Sequence, residues 1–322
     1  MKRISFALIT LFSFYSLICH AQMALPNEED VTLTTKEGSI NGKLLIPNSE
    51  KSCPVVILIA GSGPTDMDGN SPVIKGKNNS LKYLAEGLAG YGIASLRFDK
   101  RGIASSAAAG KEESKLVFED YVNDVIAWID YLARDQRFSG ISVAGHSEGS
   151  LIGMLACQSR PKVKGFVSLA GAGRPAYEIL EEQVSSQPDM IKKEVASINA
   201  SLRAGRQVGD ISAYMQALFR PSVQPYLISW YKYNPQEVIA SLKMPVLIIQ
   251  GEKDIQVSVN DAELLKKARP DAELLLINTM NHVLKDCDTM DMQKQMVTYG
   301  DPALPVNAKL MSTLTTFVKG HR

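Results

Sequence analysis

Cysteine and histidine are both scarce in this sequence of 322 residues, which contains four of each. No Cys/His cluster has zinc-like spacing, so no metal site is predicted. Without an N-terminal leader only Cys53, Cys157 and Cys287 would remain, which is too few for a disulfide scaffold. Cys53 precedes a predicted strand and Cys157 lies on a predicted helix, which favours small buried apolar side chains at both positions.

A large excess of charge of one sign is also missing. The sequence contains 35 Lys and Arg against 34 Asp and Glu, and its formal net charge is +1. No basic run is long enough to bind a polyanion, so nucleic acid is not expected as a partner. With 45% hydrophobic residues the chain can bury a full core, and its length suggests one large domain or two small ones.

The apolar run at the N-terminus is short for a membrane span. It extends from about Phe6 to Cys19, follows two basic residues, and ends in a signal-peptidase-like site at Ala21. A transmembrane anchor needs about 20 apolar residues, whereas polar residues follow Ala21 at once. The sequence therefore predicts a signal peptide over residues 1–21 and an exported protein, periplasmic or secreted, without stable membrane insertion. Lipid attachment at Cys19 is the weaker alternative, because the bulky Ile18 precedes it.

Short apolar runs alternate with amphipathic helical stretches over the rest of the chain. This pattern is typical of a mainly parallel sheet covered by helices on both faces. Apolar residues at helical spacing predict a helix over 118–132. Two extended segments within residues 31–47 meet at Glu37-Gly38, which predicts an antiparallel hairpin at the sheet edge. The predicted core strands are 55–60, 93–98, 141–144, 165–170, 246–250 and 273–277.

The alternation is interrupted once, over about residues 174–235, where the sequence becomes polar and helical. We interpret this segment as a helical cap inserted into a single α/β domain over residues 22–322. The alternative is a set of surface helices without substrate contact. The place of the insertion matters because loops at the carboxyl ends of parallel strands form the binding crevice. The helices predicted within it are 177–186, 190–203 and 211–219.

A serine between glycines is the strongest chemical signal. Gly145-His146-Ser147-Glu148-Gly149 directly follows an apolar predicted strand and directly precedes a helical run, as a nucleophile elbow requires. The glycines permit a tight, strained turn that exposes the serine hydroxyl. Ser147 is therefore the predicted nucleophile.

The predicted nucleophile needs a base, and the histidines offer few choices. His20 lies in the leader, His321 is the penultimate residue, and His146 lies inside the elbow with its side chain expected to point away. His282 remains, on the loop after the last predicted strand. It is therefore predicted to be the catalytic base.

A carboxylate must hold the imidazole in the correct tautomer and stabilise the imidazolium as it forms. Asp254 lies on the loop after the predicted strand 246–250, and the chain order Ser, Asp, His is the one that accompanies such an elbow. Asp254 is therefore the predicted third member of the triad. Its rivals are Glu252, Asp286 and Asp288, for which solvated surface charge is the more ordinary role.

The tetrahedral intermediate needs two backbone N–H donors, one after the nucleophile and one on the loop after an early strand. Glu148 is predicted to supply the first. Ser62, in Gly61-Ser62-Gly63-Pro64, is predicted to supply the second, because its glycines let backbone approach a ligand. A phosphate-binding loop is the competing interpretation, but neither Gly-Lys-Ser/Thr nor G-x-G-x-x-G is present.

Taken together, these residues resemble those of α/β hydrolases and, more narrowly, bacterial EstD-type esterases. The resemblance spans nearly the whole mature chain and implies the α/β-hydrolase fold, a triad of Ser147, Asp254 and His282, and short-chain acyl esters as substrates. Ala60 departs from a common pattern, in which a His precedes the Gly-Ser pair. The matching segments are residues 61–70, 98–102, 145–149, 251–254 and 281–285.

Several further side chains allow two interpretations. For Asp66, Asp68 and Asn70, hydrogen bonds within their own turn are favoured over a metal or substrate contact. A structural role is likewise favoured for Asp99, Lys100 and Arg101, at a strand-to-loop turn. Aromatic residues at the end of the cap line an acyl pocket or form the core of the cap. These are Tyr226, Trp230, Tyr231 and Tyr233.

The sequence thus predicts a serine hydrolase that cleaves carboxylic esters of small molecules through an acyl-enzyme, without a cofactor. An aminopeptidase or a thioesterase on the same triad is the first alternative. Glu178, Glu181 and Glu182 in the cap are candidate contacts for a substrate amine. A non-catalytic binding protein on a hydrolase scaffold is a further alternative, against which the complete triad argues.

Overall fold

The computed structural model describes residues 26–48, 51–158 and 160–322. The signal peptide predicted over residues 1–21, and Cys19 within it, lie outside the described residues. Within the described part, no helix is both long enough and apolar enough to cross a membrane. The three cysteines Cys53, Cys157 and Cys287 are free and buried, as expected for the first two.

Eight strands form one sheet in the described part of the chain. They are β1 (Asn27–Thr34), β2 (Ser39–Ile46), β3 (Cys53–Ile59), β4 (Ala94–Phe98), β5 (Phe138–His146), β6 (Val163–Leu169), β7 (Val246–Gly251) and β8 (Glu273–Ile277). Their spatial order is β1-β2-β4-β3-β5-β6-β7-β8. The pairs β1/β2 and β2/β4 are antiparallel and the other pairs are parallel. The mainly parallel sheet and the antiparallel hairpin at its edge confirm the sequence predictions.

Both faces of the central strands are covered, which explains why β3 is apolar at every position. Side chains alternate between the two faces of a strand. Val55, Ile57 and Ile59 therefore pack in one apolar cluster, while Val56 and Leu58 pack in the other. Burial on both faces requires a continuous apolar run of this kind.

The helices cover these faces and fill the segment before β7. They are α1 (Ser80–Gly90), α2 (Phe118–Leu132), α3 (Glu148–Cys157), α4 (Ala176–Gln183), α5 (Asp189–Arg203), α6 (Gln216–Phe219), α7 (Gln224–Trp230), α8 (Pro235–Ser241), α9 (Val259–Ala268), α10 (Met292–Tyr299) and α11 (Ala308–Gly320). Helix α2 matches the predicted helix over 118–132. Its first turn is stabilised by the Asp120 carboxylate, which accepts the Val117 N–H at 3.1 Å.

Residues 174–235, between β6 and β7, are helical as predicted. They include α4 to α7, and α7 packs on α2, where the Phe118 and Trp230 rings stack with centroids 5.6 Å apart. Inside the segment, the Tyr231 hydroxyl donates to Asn199 Oδ1 at 2.8 Å. We keep the name cap for residues 174–235. The division of the chain into a signal peptide, one domain and this cap stays a prediction.

Candidate active site

Ser147 occupies the one-residue turn between β5, which ends at His146, and α3, which begins at Glu148. Its φ and ψ of 55° and −121° are strained for a residue with a side chain. A Cβ on Gly145 would lie 2.1 Å from the carbonyl oxygen of Gly149, and a Cβ on Gly149 would lie 2.6 Å from that of Ala60. Both glycines are therefore required for the turn that presents Ser147.

The predicted base and the predicted carboxylate are in contact. His282 Nδ1 lies 2.7 Å from Asp254 Oδ2, and both residues are buried. Burial by itself would raise the pKa of the Asp254 carboxyl, but the adjacent His282 and the N–H donors around the carboxylate lower it below its usual value. Asp254 is thus ionised at neutral pH, and the Nε2 side of the imidazole is left for other partners.

Asp254 is held by three further donors. Its Oδ1 accepts the N–H groups of Gln256 at 2.8 Å and Val257 at 2.9 Å, and its Oδ2 accepts Gln250 Nε2 at 3.0 Å. These bonds fix both oxygens and hence the face that meets His282. The rival carboxylates Glu252, Asp286 and Asp288 are all exposed.

The final contact of the triad is not made in this structure. No hydrogen bond joins the Ser147 hydroxyl to His282 within the described residues. The imidazole nevertheless lies beside the elbow, since its ring centroid is 4.9 Å from that of His146, the residue before the serine. In substrate-free enzymes this bond is often long and tightens with substrate bound. The structure thus joins Asp254 to His282 and places His282 next to the elbow.

The two predicted oxyanion donors flank the serine. Gly61 lies directly against the elbow, because a Cβ on it would lie 3.2 Å from Ser147 Cβ, and Ser62 follows it. Glu148 is the first residue of α3, where the backbone N–H has no partner inside the helix. Neither the Ser62 N–H nor the Glu148 N–H forms a hydrogen bond with another described residue. Both donors are therefore available to an oxyanion.

A cavity of about 780 Å³ opens at Ser147. Its wall is largely apolar and comes from the loops after β3, β4 and β7, from α2 and α3, and from the cap. Tyr226 and Trp230 line this cavity, whereas Tyr231 packs inside the cap and Tyr233 packs on α2. Other lining residues are Ser62, Tyr121, Glu148, Leu151, Ile179, Leu180, Leu218 and Leu227. A cavity of this volume can enclose a small organic substrate.

Several solved structures of other proteins share the fold of this chain. The family described as serine aminopeptidase, S33, matches residues 77–224. Among solved structures, Est1E from Butyrivibrio proteoclasticus has a TM-score of 0.58 at 19% identity, covering 90% of this chain and 99% of its own. An esterase from Pyrococcus furiosus has a TM-score of 0.57 at 18% identity, covering 92% of each chain. The chain has the α/β-hydrolase fold.

The predicted resemblance of this chain to EstD-type esterases is also confirmed. It is 26% identical to the esterase EstD of Thermotoga maritima over 270 residues. The match covers 80% of this chain and spans 60% of the length of that relative. This relative and the two solved structures are all named as esterases.

The place of His146 in the elbow predicted a side chain that points away from the site, and this prediction is wrong. Its Nε2 donates to the His282 carbonyl oxygen at 2.7 Å, and the two rings pack together. Burial, followed by the nearby His282, lowers the pKa of His146 to about 4. His146 is therefore a neutral support for the His282 loop. Nothing in the local sequence indicates this contact, which joins residues 136 positions apart.

The free energy of unfolding should decrease as the pH falls from about 6.5 to about 4. In the unfolded chain His146 binds a proton below about 6.5, whereas the folded ring resists protonation until about 4, so acid favours unfolding. This residue should contribute roughly 3 kcal/mol to the decrease. His146→Gln keeps an N–H donor but has no imidazole to protonate. Its free energy of unfolding should therefore lack the decrease that His146 contributes. Urea unfolding at pH 7, 5.5 and 4 measures it, and equal decreases in both proteins would contradict the assignment.

Most of the other polar residues singled out in the sequence are structural, as favoured there. Asp66 Oδ1 accepts the N–H groups of Asp68 at 3.0 Å and Asn70 at 2.8 Å within its own turn. Asp99 accepts the Met67 N–H at 2.7 Å. Arg101 forms a buried ion pair with Asp124. Over the described ranges, no three His, Cys, Asp or Glu side chains are grouped to hold a metal ion.

Lys100 lines the cavity, as Arg101 does, but its ammonium group also bonds to residues on both sides of Ser147. Its Nζ donates to the Gly61 carbonyl oxygen at 2.6 Å and to Glu148 Oε2 at 3.1 Å. Glu148 Oε1 accepts the Tyr226 hydroxyl at 2.6 Å. One feature of the sequence could have indicated this contact. Lys100 follows β4, which lies next to β3 and therefore next to the loop of Gly61 and Ser62. The Lys100 side chain therefore belongs to the site, whereas its place in the sequence predicted only a structural role.

Proposed function

We propose that this α/β hydrolase cleaves carboxylic esters of small molecules by transferring the acyl group to water. The observation that carries the proposal is the buried hydrogen bond between Asp254 and His282, formed beside the elbow that presents Ser147. Such a carboxylate-supported imidazole next to a strained serine is the arrangement that activates a hydroxyl nucleophile.

In the proposed reaction Ser147 Oγ attacks the ester carbonyl while His282 takes its proton. Asp254 stabilises the resulting imidazolium, and the N–H groups of Ser62 and Glu148 bind the oxyanion. His282 then protonates the leaving alcohol as the carbon–oxygen bond breaks, which leaves the acyl-enzyme. His282 then deprotonates a water molecule, which attacks the acyl-enzyme, and returns that proton to Ser147 Oγ as the bond between the acyl carbon and Oγ breaks and the acid is released. No step of this cycle calls for a cofactor.

The cavity bears on the choice of acyl group. Resemblance to EstD-type esterases supports short acyl chains. The cavity of about 780 Å³, with its apolar and aromatic wall, has room for a longer or aromatic acyl group as well. The substrates used to test the proposal should therefore span both kinds of acyl group.

An aminopeptidase is the second candidate, because the matching family is described as serine aminopeptidase. Such an enzyme needs a carboxylate or carbonyl groups for the substrate amine. The acidic side chains among the described cavity residues are Glu113 and Glu148, which already pair with Arg220 and Lys100. The cap residues Glu178, Glu181 and Glu182 do not line the cavity. Ester hydrolysis is therefore the better supported activity.

A panel of p-nitrophenyl esters and aminoacyl p-nitroanilides tests this choice. The esters should run from acetate to octanoate and include one aromatic acid. We expect kcat/KM for the best ester to exceed that for the best anilide by about 100-fold or more, because the cavity offers the amine of an aminoacyl anilide no free carboxylate. Rates are measured on the protein lacking residues 1–21. A preference for the anilides would replace the esterase by an aminopeptidase.

Export is part of the same proposal, with the signal peptide removed after Ala21 and the mature protein periplasmic or secreted. Support comes from the sequence of residues 1–21, in which basic, apolar and cleavage-site regions follow one another. The intact mass of the protein recovered from the producing cell measures the cleavage site. A mass that retains residues 1–21, or that carries a lipid on Cys19, would contradict it.

A further inference from the structure

One buried ammonium group contacts both of the loops that carry the proposed oxyanion donors. Lys100 Nζ donates to the Gly61 carbonyl oxygen on the first loop and to the Glu148 carboxylate on the second. The Lys100 side chain is 2% exposed and that of Glu148 is 3% exposed. Lysine is rarely buried to this degree unless it is paired. We therefore asked what this buried charge does for the donors on the two loops that it contacts.

The bond to Gly61 acts on the peptide that bears the first donor. The Gly61 carbonyl and the Ser62 N–H belong to the same peptide unit, and the described chain contains no cis peptide bond. In a planar trans peptide the C=O and the N–H point in opposite directions. By holding the Gly61 oxygen, Lys100 therefore fixes the direction of the Ser62 N–H. A charged donor on the oxygen also polarises the peptide and strengthens its N–H as a donor.

The loop needs such a restraint because its own sequence is permissive. Glycines lie on both sides of Ser62, and Gly63 has a φ of 67°, which glycine adopts without strain. Ser62 itself is exposed, so packing of its side chain does not fix the peptide. The hydrogen bond from Lys100 supplies an orientation that the glycine-rich backbone leaves open.

Glu148 balances the charge of Lys100 in the buried site. Its carboxylate lies between Lys100 Nζ and the Tyr226 hydroxyl of the cap, which donates to it at 2.6 Å. The ring of Tyr121 lies 5.0 Å from the same ammonium group. A buried charge persists only when it is paired and hydrogen-bonded in this way. The pairing also holds Glu148, whose backbone N–H is the second proposed donor.

We propose that Lys100 is a positioning residue, which orients the Gly61–Ser62 peptide to bind the oxyanion, with Glu148 as its counter-ion. The inference rests on the proposed ester hydrolysis, because the oxyanion exists only during acyl transfer. Lys100 acts through the peptide, because its Nζ is already bonded to the Gly61 carbonyl oxygen and the Glu148 carboxylate. Its effect should therefore be greater in the transition state than in the bound substrate.

Lys100→Met tests the inference through the separate effects on kcat and KM. We expect kcat for the best ester of the panel to fall about 100-fold while KM stays within about threefold, as when an oxyanion donor is lost. Rates are expressed per Ser147 titrated with a fluorophosphonate, so that unfolded protein does not count as lost kcat. The matched control is Lys82→Met on α1, where the lysine side chain is 42% exposed, and it should keep the wild-type kcat.

A double variant separates positioning from charge balance. Lys100→Met alone leaves the Glu148 carboxylate buried without a cation, which destabilises the fold. Lys100→Met with Glu148→Gln removes both charges and should melt closer to the wild type, yet its kcat should stay about 100-fold low. Recovery of the wild-type kcat in the double variant would show that Lys100 only neutralises Glu148, and would overturn the inference.

The outcome for the wild type distinguishes this inference from the proposed function. If the wild-type protein hydrolyses no ester of the panel, the proposed function itself fails. If it hydrolyses esters and Lys100→Met keeps kcat within about threefold of the wild type, the positioning role alone fails. A fall in kcat that leaves KM unchanged, in both the single and the double variant, supports it.

Discussion

Replacing Ser147 by alanine should lower kcat for ester hydrolysis by about 10⁵- to 10⁶-fold, which is the size of effect expected when the nucleophile of a triad is removed. Alanine keeps the Cβ, so the strained turn at φ 55° is retained and only the attacking oxygen is lost. The measurement is the hydrolysis of the best ester of the panel at saturating concentration. Labelling with a fluorophosphonate, followed by intact mass, should show one adduct on the wild type and none on Ser147→Ala.

The control for this substitution is Ser312→Ala on α11, which removes an exposed hydroxyl. It should keep the wild-type rate and the adduct, because Ser312 donates only to the Lys309 carbonyl within its own helix. Ester hydrolysis by Ser147→Ala at the wild-type rate would mean that another group attacks the substrate. In that case the elbow would be a structural turn, and the proposed function would have to be revised.

The sequence predicted the central sheet because its strands are apolar on both faces. For β8 the predicted and observed bounds coincide at Glu273–Ile277. For β5 the prediction covered only 141–144, whereas the strand runs over Phe138–His146. Its first residues lack an apolar pattern and are extended because they pair with β3, as Phe138 does with Cys53. Long-range pairing of this kind leaves no signal in a short segment of sequence.

Prediction of the cap helices from local sequence was limited for the same reason. The helix predicted over 211–219 is a 3-10 turn at Ala213–Met215 followed by α6 at Gln216–Phe219. The apolar spacing is compatible with a continuous helix, but Ile211 and Ser212 lie outside it. There the Ser212 N–H donates to the Glu194 carboxylate of α5. Such a tertiary hydrogen bond decides where the helix begins, and helical periodicity does not reveal it.

The candidate site, like the fold, could be predicted only in part from the sequence. Ser147, Asp254 and His282 could be predicted from the sequence because each follows a strand, and strand ends are set by the local apolar pattern. For Lys100 the sequence favours a structural role, because the residue lies at a strand-to-loop turn. Its partner Glu148 lies 48 residues away, and the two meet only because β4 and the elbow flank the same loop. Contacts between charged residues from different strands need the fold itself.

Replacing Asp254 by asparagine should lower kcat by about 10⁴-fold, because the imidazole would be held in the wrong tautomer. Asp254 Oδ1 accepts two backbone N–H groups, from Gln256 and Val257, so an asparagine would keep its oxygen there. Its NH₂ group would then face His282 Nδ1, which would have to accept a hydrogen bond and move its own proton to Nε2. A protonated Nε2 does not take the proton of Ser147.

The same NH₂ group would also face the Gln250 Nε2 donor, which now contacts Asp254 Oδ2 at 3.0 Å. Two opposed donors in a buried site should lower the free energy of unfolding by roughly 1–3 kcal/mol. Ester kinetics and urea unfolding measure the two effects separately. The control is Glu252→Gln, an exposed carboxylate two residues earlier, which should keep the wild-type kcat and stability. Loss of activity in Glu252→Gln with Asp254→Asn unaffected would move the carboxylate of the triad to Glu252.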